Sequence, residues 1–261
     1  MYKPGSDRHP LVDGLFYPSQ EEELKQALSL DPALEQSSAI IVPHGGYTHV
    51  LKHLQEAFSH VVDQKPELII LIGPTHREPE DHIFYPDYVN FESPLGLVPV
   101  ASELTSQLKK PFTRDKMNHM EEFSLEILLP FVREYFPDKP VLPLLMGKDS
   151  MKLVKEGKKQ LQQKLPEKTL YIISSNLSPH DRQTEEWALN NSAWITKGDY
   201  QSLMEISRKS KKQPCGLGPL LFVKELLPSG HWKTCTNMTC STGDSKRGLE
   251  VWYQSFWFDY T

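Results

Sequence analysis

No run in this sequence approaches the ~18 consecutive apolar residues of a membrane-spanning helix, and Met1 to Pro10 hold no apolar stretch of the signal-peptide kind. Cysteine is scarce: three in 261 residues, an odd number, argue against a disulfide framework. Positive charge is not in surplus either. Lys and Arg number 29 against 34 Asp and Glu, a net of −5, with no basic stripe of the kind a nucleic-acid binder carries. No Gly/Ser linker, internal repeat or low-complexity tract divides the chain, and its 21 prolines are spread along it as element ends. Together these absences predict a soluble, cytoplasmic, single domain over 1–261, with no membrane span and no nucleic-acid partner. What the chain has in excess is histidine: ten in all, four of them from His44 to His60.

Short apolar runs bounded by turn residues predict buried strands at Ala39 to Val42, Leu68 to Ile72, Val141 to Leu145 and Leu170 to Ile173. Because these runs are continuous rather than alternating, they predict a sheet covered on both faces. Helical spacing appears over Val50 to Val62, Phe123 to Tyr135 (with Pro130 as a kink), Leu153 to Leu165, Trp187 to Ile195 and Leu217 to Leu227. Two further strands are expected, one over Lys233 to Cys240 and one over Val251 to Phe258. Strand–helix alternation closed by a β pair predicts an α/β fold: a mixed central sheet flanked by helices.

In such a sheet, ligands gather beyond the carboxyl ends of the strands. Two predicted strands end in Pro43-His44-Gly45-Gly46-Tyr47 and Gly73-Pro74-Thr75-His76-Arg77. A histidine on a sharp turn just past a buried strand either satisfies a turn carbonyl or faces the rim, and two from neighbouring strands could share a metal. The fourth predicted strand runs into Ser174-Ser175-Asn176-Leu177-Ser178-Pro179-His180. A serine nucleophile there would lack the Gly-x-Ser-x-Gly elbow. Cys215 precedes a predicted helix, where the dipole favours the thiolate that ligates metals; the plainer reading is a small buried residue at a helix start. His49, His53 and His60 lie on one flank of a helix and are expected to be solvated or half-buried. Cys235 and Cys240 fall on opposite faces of one strand and make no metal pair. Arg208 to Lys212 reads as a solvated loop.

The ordered set of motifs resembles the Memo family, whose bacterial members include the AmmeMemoRadiSam system protein B. Gly14-Leu15-Phe16-Tyr17-Pro18, the two histidine motifs, Ser93-Pro94-Leu95-Gly96, Glu122-Phe123-Ser124-Leu125-Glu126, Leu129-Pro130-Phe131, Ser174-Ser175-Asn176, Cys215-Gly216, Ser241-Thr242-Gly243-Asp244 and Val251-Trp252-Tyr253 match in that order. The resemblance implies a fold similar to class III extradiol dioxygenases and a pocket where His44, His76 and Cys215 ligate iron or copper, with zinc fitting the same donors. Where the family pattern has His, Asp and His, this chain has Phe123, Asn176 and Pro179, with His180 displaced by one place. An acid–base shell is therefore eroded while the ligand set survives. His82 and His119 are the histidines elsewhere that could compensate.

Two function classes follow. One is a metal-binding protein with a dioxygenase-like redox pocket, in which His44, His76 and Cys215 ligate, Asn176 and His180 stand behind them, and Tyr47 and Ser175 face a bound molecule. The other is a non-catalytic binding module whose cavity takes a peptide or a small anion. A zinc hydrolase with His180 as base is a third.

Overall fold

The computed structural model describes residues 5–77, 79–243 and 248–260; Asp244 of the closing motif lies outside them. In chain order the elements are β1 (Asp7–Arg8), α1 (Glu21–Leu28), β2 (Ala39–Val42), α2 (Tyr47–Ser59), β3 (Leu68–Pro74), β4 (Ile83–Pro86), β5 (Asn90–Ser93), β6 (Gly96–Pro99), α3 (Ser102–Thr105), β7 (Phe112–Asp115), α4 (Met117–Glu121) and α5 (Leu129–Tyr135). They continue with β8 (Val141–Met146), α6 (Met151–Leu161), β9 (Thr169–Ser174), α7 (Glu185–Lys197), α8 (Tyr200–Lys209), α9 (Leu217–Leu226), β10 (His231–Thr234), β11 (Thr239–Gly243), β12 (Leu249–Tyr253) and β13 (Phe256–Asp259).

Eight strands form one sheet in the order β10-β13-β2-β9-β3-β8-β4-β7. Its centre, β2-β9-β3-β8, is parallel, while β13 on one side and β4 on the other run antiparallel to their central neighbours. The sheet is mixed and flanked by helices, as the sequence pattern predicts. The four central strands are buried along their whole length, the burial that continuous apolar runs require.

Alternate residues of those strands sort into two cores, because successive side chains point to opposite faces. Ile40, Val42, Ile69, Leu71, Leu170 and Ile172 pack with Leu24 and Leu28 of α1, Val50, Leu54 and Phe58 of α2, and Phe131 of α5. Ala39, Ile41, Ile70, Ile72, Leu144 and Ile173 pack on the other face with Val154 of α6, Ala188 of α7, Leu203 of α8 and Leu220 of α9. No helix among the described residues is long and apolar enough to cross a membrane.

Several expectations need correction. The helix over Phe123 to Tyr135 is a 3-10 turn at Glu126–Leu128 followed by α5, and Pro130 sits in the first turn of α5 rather than kinking a longer helix. There its missing N–H removes no intrahelical bond. Each tail strand is two: β10 and β11 in place of one, β12 and β13 in place of the other. The break lets β10 and β13 extend the main sheet while β11 and β12 pair apart from it as a hairpin. Arg208 and Lys209 are the last turn of α8, not loop. His53 is not on a solvated flank; it is buried, its ring nitrogens 2.7 Å from the hydroxyls of Thr236 and Thr239.

Candidate functional site

β2, β9 and β3 are adjacent and parallel, so their carboxyl ends meet at one rim. β2 leads into His44, β3 into His76 and β9 into Ser175 and Asn176. The start of α9 is stitched to the same place: the Cys215 N–H donates to the Asn176 carbonyl (3.2 Å) and the Gly216 N–H to Ser175 Oγ (3.1 Å). The approach leaves no room at Gly216, where a β-carbon would lie 2.5 Å from the Ser174 carbonyl oxygen and 2.7 Å from Ser175 Cβ. Gly216→Ala is expected to cost about 1–3 kcal/mol, since backbone must yield; urea unfolding measures it, and an unchanged midpoint would contradict the close approach.

The hydrogen bonds fix the tautomer of His44. Ser174 Oγ donates its only proton to the Ser124 carbonyl (2.8 Å), so it accepts from His44 Nδ1, 2.8 Å away. His44 Nε2 therefore carries the lone pair, and it faces Cys215 Sγ at 3.4 Å. The sulfur also accepts the Asn176 N–H at 3.0 Å. Burial lowers the His44 pKa to about 3, helped by charge on His76 and opposed by Glu122. Burial also lifts Cys215 to about 12, an effect that hydrogen bonds from Asn176 and Ser175 only partly oppose. Both groups are neutral at pH 7: a thiol donating to an imidazole, not the thiolate–imidazolium pair of a cysteine nucleophile.

His76 is held differently. Its side chain is 42% exposed, and Nδ1 lies 2.9 Å from Glu122 Oε1. Glu122 also accepts the backbone N–H groups of His76 and Ser124, each at 2.9 Å. Burial alone would raise the Glu122 pKa, but the bond and charge of His76 and those two N–H groups more than offset it and hold it at about 2. The carboxylate accepts the Nδ1 proton of His76. Phe123 stacks on the His76 ring (5.3 Å between centroids, 7°), packs edge-on against Phe16, and lies 6.0 Å from the His44 ring.

The His44 and His76 rings are 5.1 Å apart, edge to face. Among the described residues no group of three or more His, Cys, Asp or Glu side chains stands together as a metal ion requires. The close pair is His44 with Cys215, and His76 stays one ring contact away.

The remaining sequence candidates are placed as follows. The Asn176 side chain is turned onto the backbone of His44, accepting its N–H (2.9 Å) and donating to its carbonyl (3.0 Å), a reciprocal pairing an aspartate could not make. Ser175 braces Gly216. The Tyr47 hydroxyl donates to the Ile127 carbonyl at 2.8 Å and its ring packs in the core against Tyr17 and Phe131. His180 is exposed and takes part in none of the bonds or ring contacts just described. His119 is buried with Nε2 3.3 Å from the Phe84 carbonyl, and His82 pairs with Thr113 at 3.0 Å, so neither stands in for the missing acid–base groups.

Sequence reasoning passed over the residues that orient the two histidines, Ser174, Ser124 and Glu122, although all three stand inside motifs it quoted. It also passed over the anchor beneath them. Arg8 is buried, paired with Glu126, and donates to the carbonyls of His119 (2.9 Å) and Glu122 (3.2 Å). Glu126 in turn accepts the N–H groups of Leu11 and Val12 (2.8 Å each) and the Tyr17 hydroxyl (3.0 Å). The segment carrying Glu122 and Phe123 is thus tied to the start of the chain.

Residues 8–229 match the family model described as Memo-like protein. The chain is 29% identical over 238 residues to a MEMO1 family protein of Pyrobaculum aerophilum, covering 82% of this chain and 84% of that one. It is 32% identical over 180 residues to a MEMO1 family protein of Aquifex aeolicus, covering 66% and 67%. Among solved structures, an uncharacterized protein from Escherichia coli K12 superposes with a TM-score of 0.52 at 15% identity, over 85% of this chain and 99% of that one, a likeness of fold.

Proposed function

The chain belongs to the Memo-like family, and from that premise we propose that it is a metal-binding protein whose ion, iron or copper with zinc fitting the same donors, is held by His44, Cys215 and His76. The observation that carries the reading is the aimed pair: a His44 Nε2 lone pair 3.4 Å from Cys215 Sγ. Ligand atoms about 2.0 Å (nitrogen) and about 2.3 Å (sulfur) from one tetrahedral ion lie about 3.5 Å from each other. The donor chemistry fits as well, because imidazole and thiolate suit copper, iron and zinc rather than magnesium or calcium. Glu122 behind His76 and Ser174 behind His44 resemble the hydrogen-bond acceptors that orient metal-bound histidines. Bound iron or copper would supply one-electron chemistry, and bound zinc a Lewis acid.

The surroundings favour binding without turnover. Asn176 spends its amide on the His44 backbone, Phe123 is apolar, and His180 is outside the cluster, so none of these three positions carries a proton beside the pair. This is the alternative of a non-catalytic binding module. It is separated from a dioxygenase-like oxidoreductase by oxygen uptake: iron- or copper-loaded protein should consume oxygen no faster than the His44→Ala variant.

Metal analysis tests the binding itself. Protein loaded anaerobically with iron(II), copper(I) or zinc(II) is expected to retain one ion per chain on desalting. His44→Ala and Cys215→Ser are expected to weaken retention by more than about 100-fold, beyond what losing an orienting partner costs. Wild-type protein that takes up none of the three metals would overturn the reading.

A further inference from the structure

A cavity of about 550 Å³ lies far from this rim, beside the carboxyl end of α9, the helix whose other end follows Cys215 and Gly216. Ten helical residues put the two about 15 Å apart. Its wall carries Lys158 of α6, Lys197 of α7 and Lys224 of α9, with His231 at the edge and, among the described residues, one carboxylate, Glu225. Three ammonium groups against one carboxylate leave two positive charges, in a protein whose net charge is −5.

Two of the lysines converge on one point, and the third lines the same cavity. Lys224 and Lys158 flank the same carboxylate, Lys224 Nζ at 2.8 Å from Glu225 Oε1 and Lys158 Nζ at 3.2 Å from Oε2. Two ammonium groups gripping the two oxygens of one carboxylate is the arrangement an oxyanion takes between lysines, and it is open to solvent. Lysines in the last turns of helices also complement the helix dipole, but these two are aimed at Glu225 and not at the terminal carbonyls. Lys197 is exposed and makes no ion pair among the described residues; Asp199, the nearby carboxylate, is hydrogen-bonded to Ser202. Asp259, behind His231, is paired with Lys233 and does not line the cavity.

The rest of the wall is apolar or donor-bearing. Leu227 and the rings of Tyr200 and Phe258 line it, with Lys224 Nζ 5.6 Å from the centroid of Tyr200. The Tyr200 hydroxyl accepts the Trp232 indole N–H at 3.1 Å, which leaves its own proton to give. We propose that this cavity binds a small organic phosphate monoester, its dianion between Lys158, Lys197 and Lys224 and its organic part against Tyr200 and Leu227. The charge matches: a phosphate monoester carries about −1.5 to −2 at pH 7, against the two positive charges left by the lining side chains. Lysine reads phosphate as a point charge and needs no bidentate fork.

Calorimetric titration of the full chain with phenyl phosphate at low ionic strength is the test. One saturable site is expected, with inorganic phosphate and benzoate each bound more weakly, the first for want of a ring and the second for want of charge. Lys197→Gln, which breaks no ion pair, is expected to weaken phenyl phosphate about tenfold, the worth of one charge-assisted hydrogen bond. The triple variant Lys158→Gln, Lys197→Gln, Lys224→Gln should show no saturable binding while keeping the wild-type circular dichroism. Three results would each overturn the proposal: no saturable heat with wild type, Lys197→Gln unchanged, or benzoate bound as tightly as phenyl phosphate.

Discussion

Taken from pH 6.5 to about pH 4.5, the metal-free protein is expected to unfold, and the transition should take up about three protons per chain. His44, His53 and His119 are all buried in the folded state. Burial lowers their pKa values to about 3, about 4 and about 3, with nearby positive charge from His76, Lys52 and Arg8 adding to the effect. Unfolded, each returns to the ordinary histidine value of about 6.5. Between the folded and unfolded values the unfolded chain binds more protons, so stability rises with pH across this window and is lost as pH falls. Three groups titrating together give a slope of about 4 kcal/mol per pH unit near pH 5, and one such unit is a large part of a domain's stability. Glu122, held at about 2, stays ionised through the window and contributes loss only below about pH 4.5. Urea unfolding at half-unit steps of pH measures the slope. His119→Gln should reduce it by about one third, and a wild-type slope of less than one proton would contradict the burial of these rings.

Arg8→Ala is expected to destabilise the protein by about 3–5 kcal/mol and to lower the melting temperature by about 10 °C. The pair with Glu126 is fully buried, so deleting one partner leaves a carboxylate in the core facing only N–H groups and a hydroxyl. Three carbonyls on the Glu122 segment, those of His119, Met120 and Glu122, lose their donor at the same time. Glu126→Gln should cost less than Arg8→Ala because its amide still accepts from Leu11 or Val12. A loss below about 1 kcal/mol for Arg8→Ala would mean that the start of the chain is not anchored as described. Because the anchored segment bears Glu122, the variant should also loosen His76.

The legible part of the fold was its centre. Ala39–Val42, Leu68–Pro74, Val141–Met146 and Thr169–Ser174 are near-uniform apolar runs because both faces are covered, and their β-branched content and shortness set them apart from the equally apolar start of α9. β4 to β7 are four residues each, β4 buried throughout and the other three mixing buried with partly or fully exposed positions, so they carry no period long enough to read. Their pairing is decided by tertiary context.

The site divides along the same line. His44, His76 and Cys215 stand at element ends, which local pattern can find. The partners that orient them are remote: Ser174 is 130 residues from His44 and Glu122 is 46 from His76. Arg8 and Glu126 are 118 apart. His53 was misplaced for a related reason, since helical spacing shows only its own flank and not the Thr236 and Thr239 side chains that cover it. Asn176 had a visible departure from the family pattern but no visible purpose until its amide met both polar groups of the His44 backbone.

The proposed ion would be shared by the Cys215 sulfur and two imidazoles. X-ray absorption at the metal edge of protein loaded with one equivalent of copper(I) or zinc(II) tests it most directly. The account predicts one sulfur at about 2.3 Å and two nitrogens at about 2.0 Å, with the sulfur lost in Cys215→Ser and one nitrogen lost in His76→Ala. A wild-type spectrum fitted by nitrogen and oxygen alone, with no sulfur scatterer, would contradict it.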